Sequence, residues 1–249
     1  MPTTTAGPTG PASTPRTPRT RRERLRDATT AEIKAAARTL LVREGPTAVT
    51  LRATAREVGM TAPALYRYVD SHEDLLRSLC EDLLAELGGR LEAARDTVGP
   101  DDPVGRLLAT CREFRSWSLE HPREFQLTFA GAADQAPPHH EVPGEDISIG
   151  AVFFGVFVEI WSRAPFPVPP DEALSPALAG QLRTFADRVG SDLPLGVVAV
   201  FLDGWVRLYG SVTLEVFGHL GFALSDPGSL FESMLEGMRR ALTAPAGTG

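Results

Sequence analysis

Residues 50–69 read TLRATAREVGMTAPALYRYV, and SHEDLL follows at 71–76. The stretch predicts two short helices joined by a tight turn, with a third helix starting behind them. Thr50 is a natural N-cap, because its hydroxyl can accept from an orphan backbone N–H. Leu51, Ala55 and Val58 follow at helical spacing and supply an inward face. Gly59 falls where the first helix must stop, and glycine accepts the left-handed conformation such a stop requires. Thr61 caps the second helix, and Pro63 lies in its first turn, where a missing N–H costs little. Leu65 is the inward anchor. Ala62, Ala64, Tyr66, Arg67 and Tyr68 leave a mostly small, donor-rich outer surface. Small residues let a helix backbone sit deep in a major groove while a few side chains reach bases and phosphates. The pattern is that of a helix-turn-helix.

Flanking segments extend it. AEIKAAARTLLVREG at 31–45 is amphipathic, with Ile33, Ala37, Leu40 and Leu41 inward, and Gly45-Pro46 ends it. SHEDLLRSLCEDLLAEL at 71–87 begins with Ser71 and, three residues on, Asp74, a capping box with a shorter acid. Together these three segments resemble the TetR family of one-component transcriptional regulators, over roughly residues 27–87. Further along, SWSLEHPREFQLTF at 116–129 and GWVRLYGSVTLEVFGHL at 204–220 resemble the WHG-type C-terminal ligand-binding domain of one subgroup. The sequence departs from the family pattern twice. His72 stands where a phosphate-reaching Lys is frequent. Thr54 stands where an apolar core residue is usual, and is expected to turn its methyl inward and bond a preceding carbonyl.

The resemblance implies an all-α fold: an N-terminal three-helix helix-turn-helix domain plus a larger C-terminal helical domain for ligand binding and dimerisation. The expected division is a disordered basic tail at 1–26, the DNA-binding domain at 27–87 and the regulatory domain at 88–243. It also implies roles at matching positions. Arg52 stands where related proteins often contact a base edge, and Arg can pair bidentately with guanine; a phosphate contact or plain surface is the alternative. Thr50, Thr61, Tyr66, Tyr68 and His72 are candidates for phosphate. Ala62 and Ala64 can touch thymine methyls beside Pro63, and Arg67 fits either role. Tyr66 also has a core reading, with its ring against the first helix.

Charge supports this polarity. The 249-residue chain carries −7 overall, but residues 1–77 hold 13 Arg or Lys against 8 Asp or Glu, and the remainder is strongly acidic. A basic end on an acidic body fits a DNA-reading head. Arg16, Arg19, Arg21, Arg22, Arg24 and Arg26 either lie along DNA or form a solvated tail. Residues 1–20 are rich in Pro, Thr and Gly and have almost nothing to bury, and no apolar stretch of the signal-peptide kind follows the start.

Beyond Gly99-Pro100-Asp101-Asp102-Pro103 the periodicity predicts helices at about 103–120, 123–129, 147–163, 175–189, 194–219 and 226–242, with Pro-rich loops at 130–146 and 164–173. The helix at 194–219 is apolar nearly all round, so one side needs a partner beyond its own core. With the stripe Leu230, Phe231, Met234, Leu235 and Met238 it suggests a four-helix interface between two subunits. A two-fold dimer would read two half-sites of a palindrome.

Ligand candidates are the aromatics of this region. Phe114, Trp117, Phe125 and Phe129 come from its first half. Phe153, Phe157 and Trp161 come from the apolar helix near 150, and Trp205 and Tyr209 from the long one. Lining a cavity, they would take a small apolar or aromatic molecule; filling core is the alternative for each. Asp203 with Arg207 and Glu215 with His219 are spaced as helical pairs.

Some classes drop out. There is no GxSxG, GxGxxG or phosphate loop, so no enzyme is expected. His139-His140-Glu141 lack supporting ligands, so no metal or cofactor is expected. The most apolar stretch, 147–158, is shorter than the roughly 20 residues a bilayer requires, so no membrane span is expected. Cys80 and Cys111 read as reduced core thiols in a cytoplasmic protein, with a redox-responsive regulator as an alternative. The reading is a ligand-responsive repressor of a palindromic operator, with an activator of the same fold as the other possibility.

Overall fold

The computed structural model describes residues 20–130 and 149–245. The described residues are helical throughout and contain no strand. The head comprises α1 (Arg21–Glu44), α2 (Leu51–Val58) and α3 (Ala62–Leu65), followed by the long connector α4 (His72–Asp96). The body comprises α5 (Pro103–Glu120), α6 (Pro122–Phe125), a π-helical turn at Gln126–Ala130, α7 (Ile149–Arg163), α8 (Pro176–Arg188), α9 (Leu195–Val216) and α10 (Gly228–Thr243).

Local chemistry sets most boundaries. Gly45 stops α1 at φ 92°, and Gly59 stops α2 at φ 75°, both in the region that suits glycine. Thr50 accepts from the Ala53 N–H at 3.1 Å, Ser71 from Asp74 at 3.0 Å and Asp102 from Gly105 at 2.8 Å, one cap each for α2, α4 and α5. Asp74 reaches back to the Asp70 N–H at 3.3 Å, one residue before the Ser71 N–H that a full capping box would use. Thr61 makes no side-chain cap bond, so α3 starts on Pro63 in its first turn and on its buried anchor Leu65.

Two expectations about the chain's ends and spans change. The first helix starts at Arg21, so residues 20–26 are not part of the disordered tail expected at 1–26. The cause is a capping box: Thr20 accepts from the Glu23 N–H, and Glu23 Oε2 accepts from the Thr20 N–H at 2.7 Å. Residues 1–19, the Pro-rich stretch up to 146 beyond Ala130, and His139-His140-Glu141 lie outside the described residues. By length and composition α9, at 22 residues, is apolar enough to cross a bilayer. The expectation that no segment qualifies missed it because Asp203, Arg207 and Glu215 interrupt its apolar run. Those three charges are ion-paired, and the helix packs on α5, α7, α8 and α10.

Two cores share one helix. In the head, Ile33, Ala37, Leu40, Val49, Ala55, Leu65 and Val69 close over Leu75, Leu76, Leu79 and Leu83 of α4. One turn later the same helix sends Leu87 and Leu91 into the body core, among Phe114, Trp117, Phe125 and Val212. In the other direction, Leu127 of the π-helical turn enters the head core. A rotation or shift of α4 therefore disturbs both cores at once, since close-packed interiors do not absorb such a change locally.

A candidate DNA interface and an aromatic cavity

On the head, α2 and α3 turn Arg52, Thr61, Pro63, Tyr66 and Arg67 outward, and Ala62, Ala64 and Tyr68 are half-buried. Tyr66 is 56% exposed, which replaces the reading of its ring as core packing. Arg52, Arg56 and Arg67 have no carboxylate partner among the described residues. Several other arginines are engaged: Arg43 with Glu44 and Glu57, Arg106 with Glu159, Arg112 with Glu232, Arg115 with Glu215. Unneutralised guanidinium groups at one end are what an anionic polymer would meet.

Two polar positions are committed to the fold. Thr50 is exposed, but its hydroxyl oxygen already accepts the α2 cap bond. His72 Nε2–H donates to the Val49 carbonyl at 2.5 Å, bracing α4 against the start of α2. Only Nδ1 is left to meet a phosphate, and it donates only when the ring is doubly protonated. Thr54 is fully buried, and its hydroxyl has no hydrogen-bond partner among the described residues, so the expected bond to a preceding carbonyl is not made.

The predicted aromatics divide into three groups. Phe114 is the hub of the first, with ring centroids of Phe129, Phe153, Trp205 and Phe125 at 5.6, 6.1, 6.0 and 6.3 Å. Phe125 and Tyr209 belong to the same group, and the Tyr209 hydroxyl donates to the Phe129 carbonyl at 2.8 Å. Trp117 faces the head instead: its Nε1–H donates to Glu86 at 3.2 Å, and its ring stacks on His121. Trp161 sits edge-on to Phe166 at the far side.

Phe153, Phe157 and Trp205 line a cavity of about 90 Å³ between α5, α7, α9 and α10. Sequence reasoning missed the other apolar walls, Leu107, Cys111, Phe201, Leu208 and Met238. The α9 stripe held the signal: Phe201, Trp205 and Leu208 are spaced 4 and 3 residues apart on one face. At the mouth Asp203 and Arg207 pair with each other at 2.9 Å, as their spacing suggested. Glu215 does not pair with His219; it takes both guanidinium arms of Arg115 at 2.6 and 2.7 Å, and His219 stands near the Phe217 ring. The cavity is smaller than the roughly 150 Å³ apolar void that admits benzene in another protein. An aromatic guest would have to displace the lining rings.

Residues 107–238 match the family model described as Tetracyclin repressor-like, C-terminal domain, and residues 33–79 match that of bacterial regulatory proteins, tetR family. The chain belongs to the TetR family. It is a DNA-binding transcription regulator with a helix-turn-helix, in a family of regulators, not enzymes. It is 28% identical to the HTH-type transcriptional regulator Rv1816 of Mycobacterium tuberculosis over 211 residues, 84% of this chain and 89% of that one. Among solved structures, SCO4313, described as a regulatory protein, superposes with a TM-score of 0.60 at 28% identity, over 89% of this chain and 98% of that one. RolR in complex with resorcinol superposes with a TM-score of 0.55 at 17% identity, over 90% and 98%. That last likeness concerns the TetR fold alone.

Proposed function

We propose that this TetR-family chain is a homodimeric repressor that binds a palindromic operator and leaves it when a small apolar or aromatic molecule enters the body. The observation carrying this reading is the separation of two surfaces along one helix. Tyr66 and arginines without a carboxylate partner among the described residues are exposed on α2 and just after α3, and an aromatic cavity lies in the body between α5, α7, α9 and α10, whose core α4 joins to that of the head. A guest that swells the cavity favours a conformation in which α4, and the reading helix with it, is displaced. It does so only by binding that conformation more tightly. RolR, of the same fold, holds resorcinol, a small aromatic guest of the chemical class proposed here.

Dimerisation is supported by the outer face of α9. Val206 is 67% exposed and Leu214 43%, with Gly210 between them at one-turn spacing, and Leu230 of α10 is also exposed. A second copy seated there would cover this stripe and set two α3 helices at the spacing of two half-sites. Operator binding would place the protein in the cytoplasm with the chromosome. Burial pushes the Cys80 thiol up to about 11 and the Cys111 thiol up to about 12, which speaks against the redox alternative.

The test is operator selection from random duplexes, followed by binding of the double variant Arg52→Ala, Tyr66→Ala. The variant is expected to bind at least tenfold more weakly while keeping its helicity. Wild-type binding by the double variant would remove these residues from the interface. An effector found by screening must lower operator affinity at saturation; unchanged affinity would end the induction model.

A further inference from the structure

The first eight residues of α1 bury nothing. Residues 21–28 are all exposed, and the first buried side chain is Ile33. About 12 Å of helix, at 1.5 Å per residue, therefore stands clear of the core. So short a helix is marginal alone, and this one is held by continuity with the packed part of α1 and by the Thr20–Glu23 capping box.

Its position follows from two ion pairs. Lys34 meets Asp82, and Arg38 meets Glu86, both across a separation of 48 residues. The two helices thus run side by side in the same direction. Carried back along that offset, Glu23 of α1 comes level with Ser71, the cap of α4. The overhang is accordingly at the α2–α3 end of the molecule, away from the cavity.

Its chemistry is cationic and unspent. Arg21, Arg22, Arg24 and Arg26 are exposed and have no carboxylate partner among the described residues. Of the two acids on the overhang, Glu23 is turned onto the Thr20 N–H and hydroxyl at 2.7 and 3.0 Å, and Asp27 follows Arg26. At 100° per residue the four arginines spread around the rod and do not form one edge-reading face. That arrangement suits phosphates and not a bidentate base contact.

We propose that residues 21–26 form a second DNA-contact element, which grips phosphates flanking the half-site read by α2 and α3 without reading sequence. The proposal rests on the operator-binding reading above. It extends the footprint of each head beyond the helix-turn-helix and adds salt-dependent affinity for any duplex.

The experiment compares the full chain with the fourfold variant Arg21→Gln, Arg22→Gln, Arg24→Gln, Arg26→Gln in salt titrations, on the selected operator and on an unrelated duplex. Each lost phosphate contact removes about 0.9 from the log–log salt slope. The expected result is a slope reduced by about 2 or more, at least tenfold weaker binding to both duplexes at low salt, and unaltered helicity. Four Arg→Lys replacements should restore the slope. On a duplex trimmed to the two half-sites, wild type should fall to the level of the Gln variant. An unchanged slope would make the overhang a solvated surface and overturn the proposal while operator binding stood. A loss confined to A·T-rich flanks would also overturn it, in favour of minor-groove reading. Failure of the wild-type chain to bind any duplex would sink the operator reading itself, and this proposal with it.

Discussion

Arg38 of α1 donates two hydrogen bonds to Glu86 of α4, at 2.6 and 3.1 Å, where the head meets the body. The same carboxylate accepts from Trp117 of α5, and the same guanidinium reaches the buried Glu124 of α6 at 3.4 Å. The Arg38–Glu86 pair therefore ties four helices. The Arg38 bond, and secondarily that of Trp117, hold the Glu86 carboxyl below its ordinary value, and the Arg38 pKa is raised in turn by Glu86 first. A carboxyl whose folded pKa is depressed contributes stability above its unfolded value, about 4.3, and loses it as pH falls through the folded one. Arg38→Met should cost about 1–3 kcal/mol at pH 7, above an exposed pair because Glu124 is left buried and unpaired, below a fully buried one because Arg38 and Glu86 are partly solvated. Urea melts at pH 7 and pH 4 check this. The wild type's advantage over the variant should begin to shrink at pH 4 and go as the pH falls further through the folded Glu86 value; a constant difference would show that Glu86 does not carry it.

Val206 tests the subunit interface without touching the core. It is exposed on the outer face of α9, so Val206→Glu should leave the fold of the single chain intact. If a second copy covers this face, the variant should sediment as a monomer and bind the operator at least tenfold more weakly, because two half-sites are no longer read together. Its melting temperature should also stop rising with protein concentration. A variant that remains dimeric would move the interface elsewhere.

The two thiols predict a pH dependence of opposite sense to that of Glu86. Desolvation raises Cys80 to about 11 and Cys111 to about 12 in the folded chain. In the unfolded chain both ionise near the ordinary thiol value of about 8.5. Above that pH the unfolded state has released protons that the native state keeps, so stability falls as pH rises. Native protein at pH 8 should resist alkylation by iodoacetamide and react at both cysteines once urea unfolds it. Rapid labelling of the native chain would reopen a redox role.

What the sequence makes legible is local. Gly59, the Thr50 and Ser71 caps and the Leu65 anchor are read within a few residues, because turn chemistry and helical period act at that range. The overhang at 21–28 escapes the same reading. Its capping box at Thr20 and Glu23 stands among Pro, Thr and Arg, with no apolar face to announce a helix. Contacts across the fold are not visible at all. Glu215 bonds Arg115 at a separation of 100 residues, and periodicity points instead to His219, one turn away. The cavity is half legible: Phe153, Phe157 and Trp205 stand out as aromatics, whereas Leu107 and Met238 become walls only once α5 and α10 are packed.

Thr54 offers the last test, because its burial and its chemistry disagree. The side chain is fully buried on the inner face of α2, and its hydroxyl is without a partner among the described residues. A buried hydroxyl that has given up water and gained no hydrogen bond costs about 1–3 kcal/mol. Thr54→Val keeps the shape and removes the orphaned oxygen, so it should stabilise the head by about 1 kcal/mol. Thr54→Ser keeps the oxygen and loses the packed methyl, and should destabilise by about 1 kcal/mol. Both variants should bind the operator like wild type, since Thr54 faces the core and not the reading surface. Chemical denaturation of the three proteins decides it. If the Val variant is less stable than the Thr chain, the hydroxyl has a partner in solution, and the expected bond to a carbonyl one turn back is the one to look for.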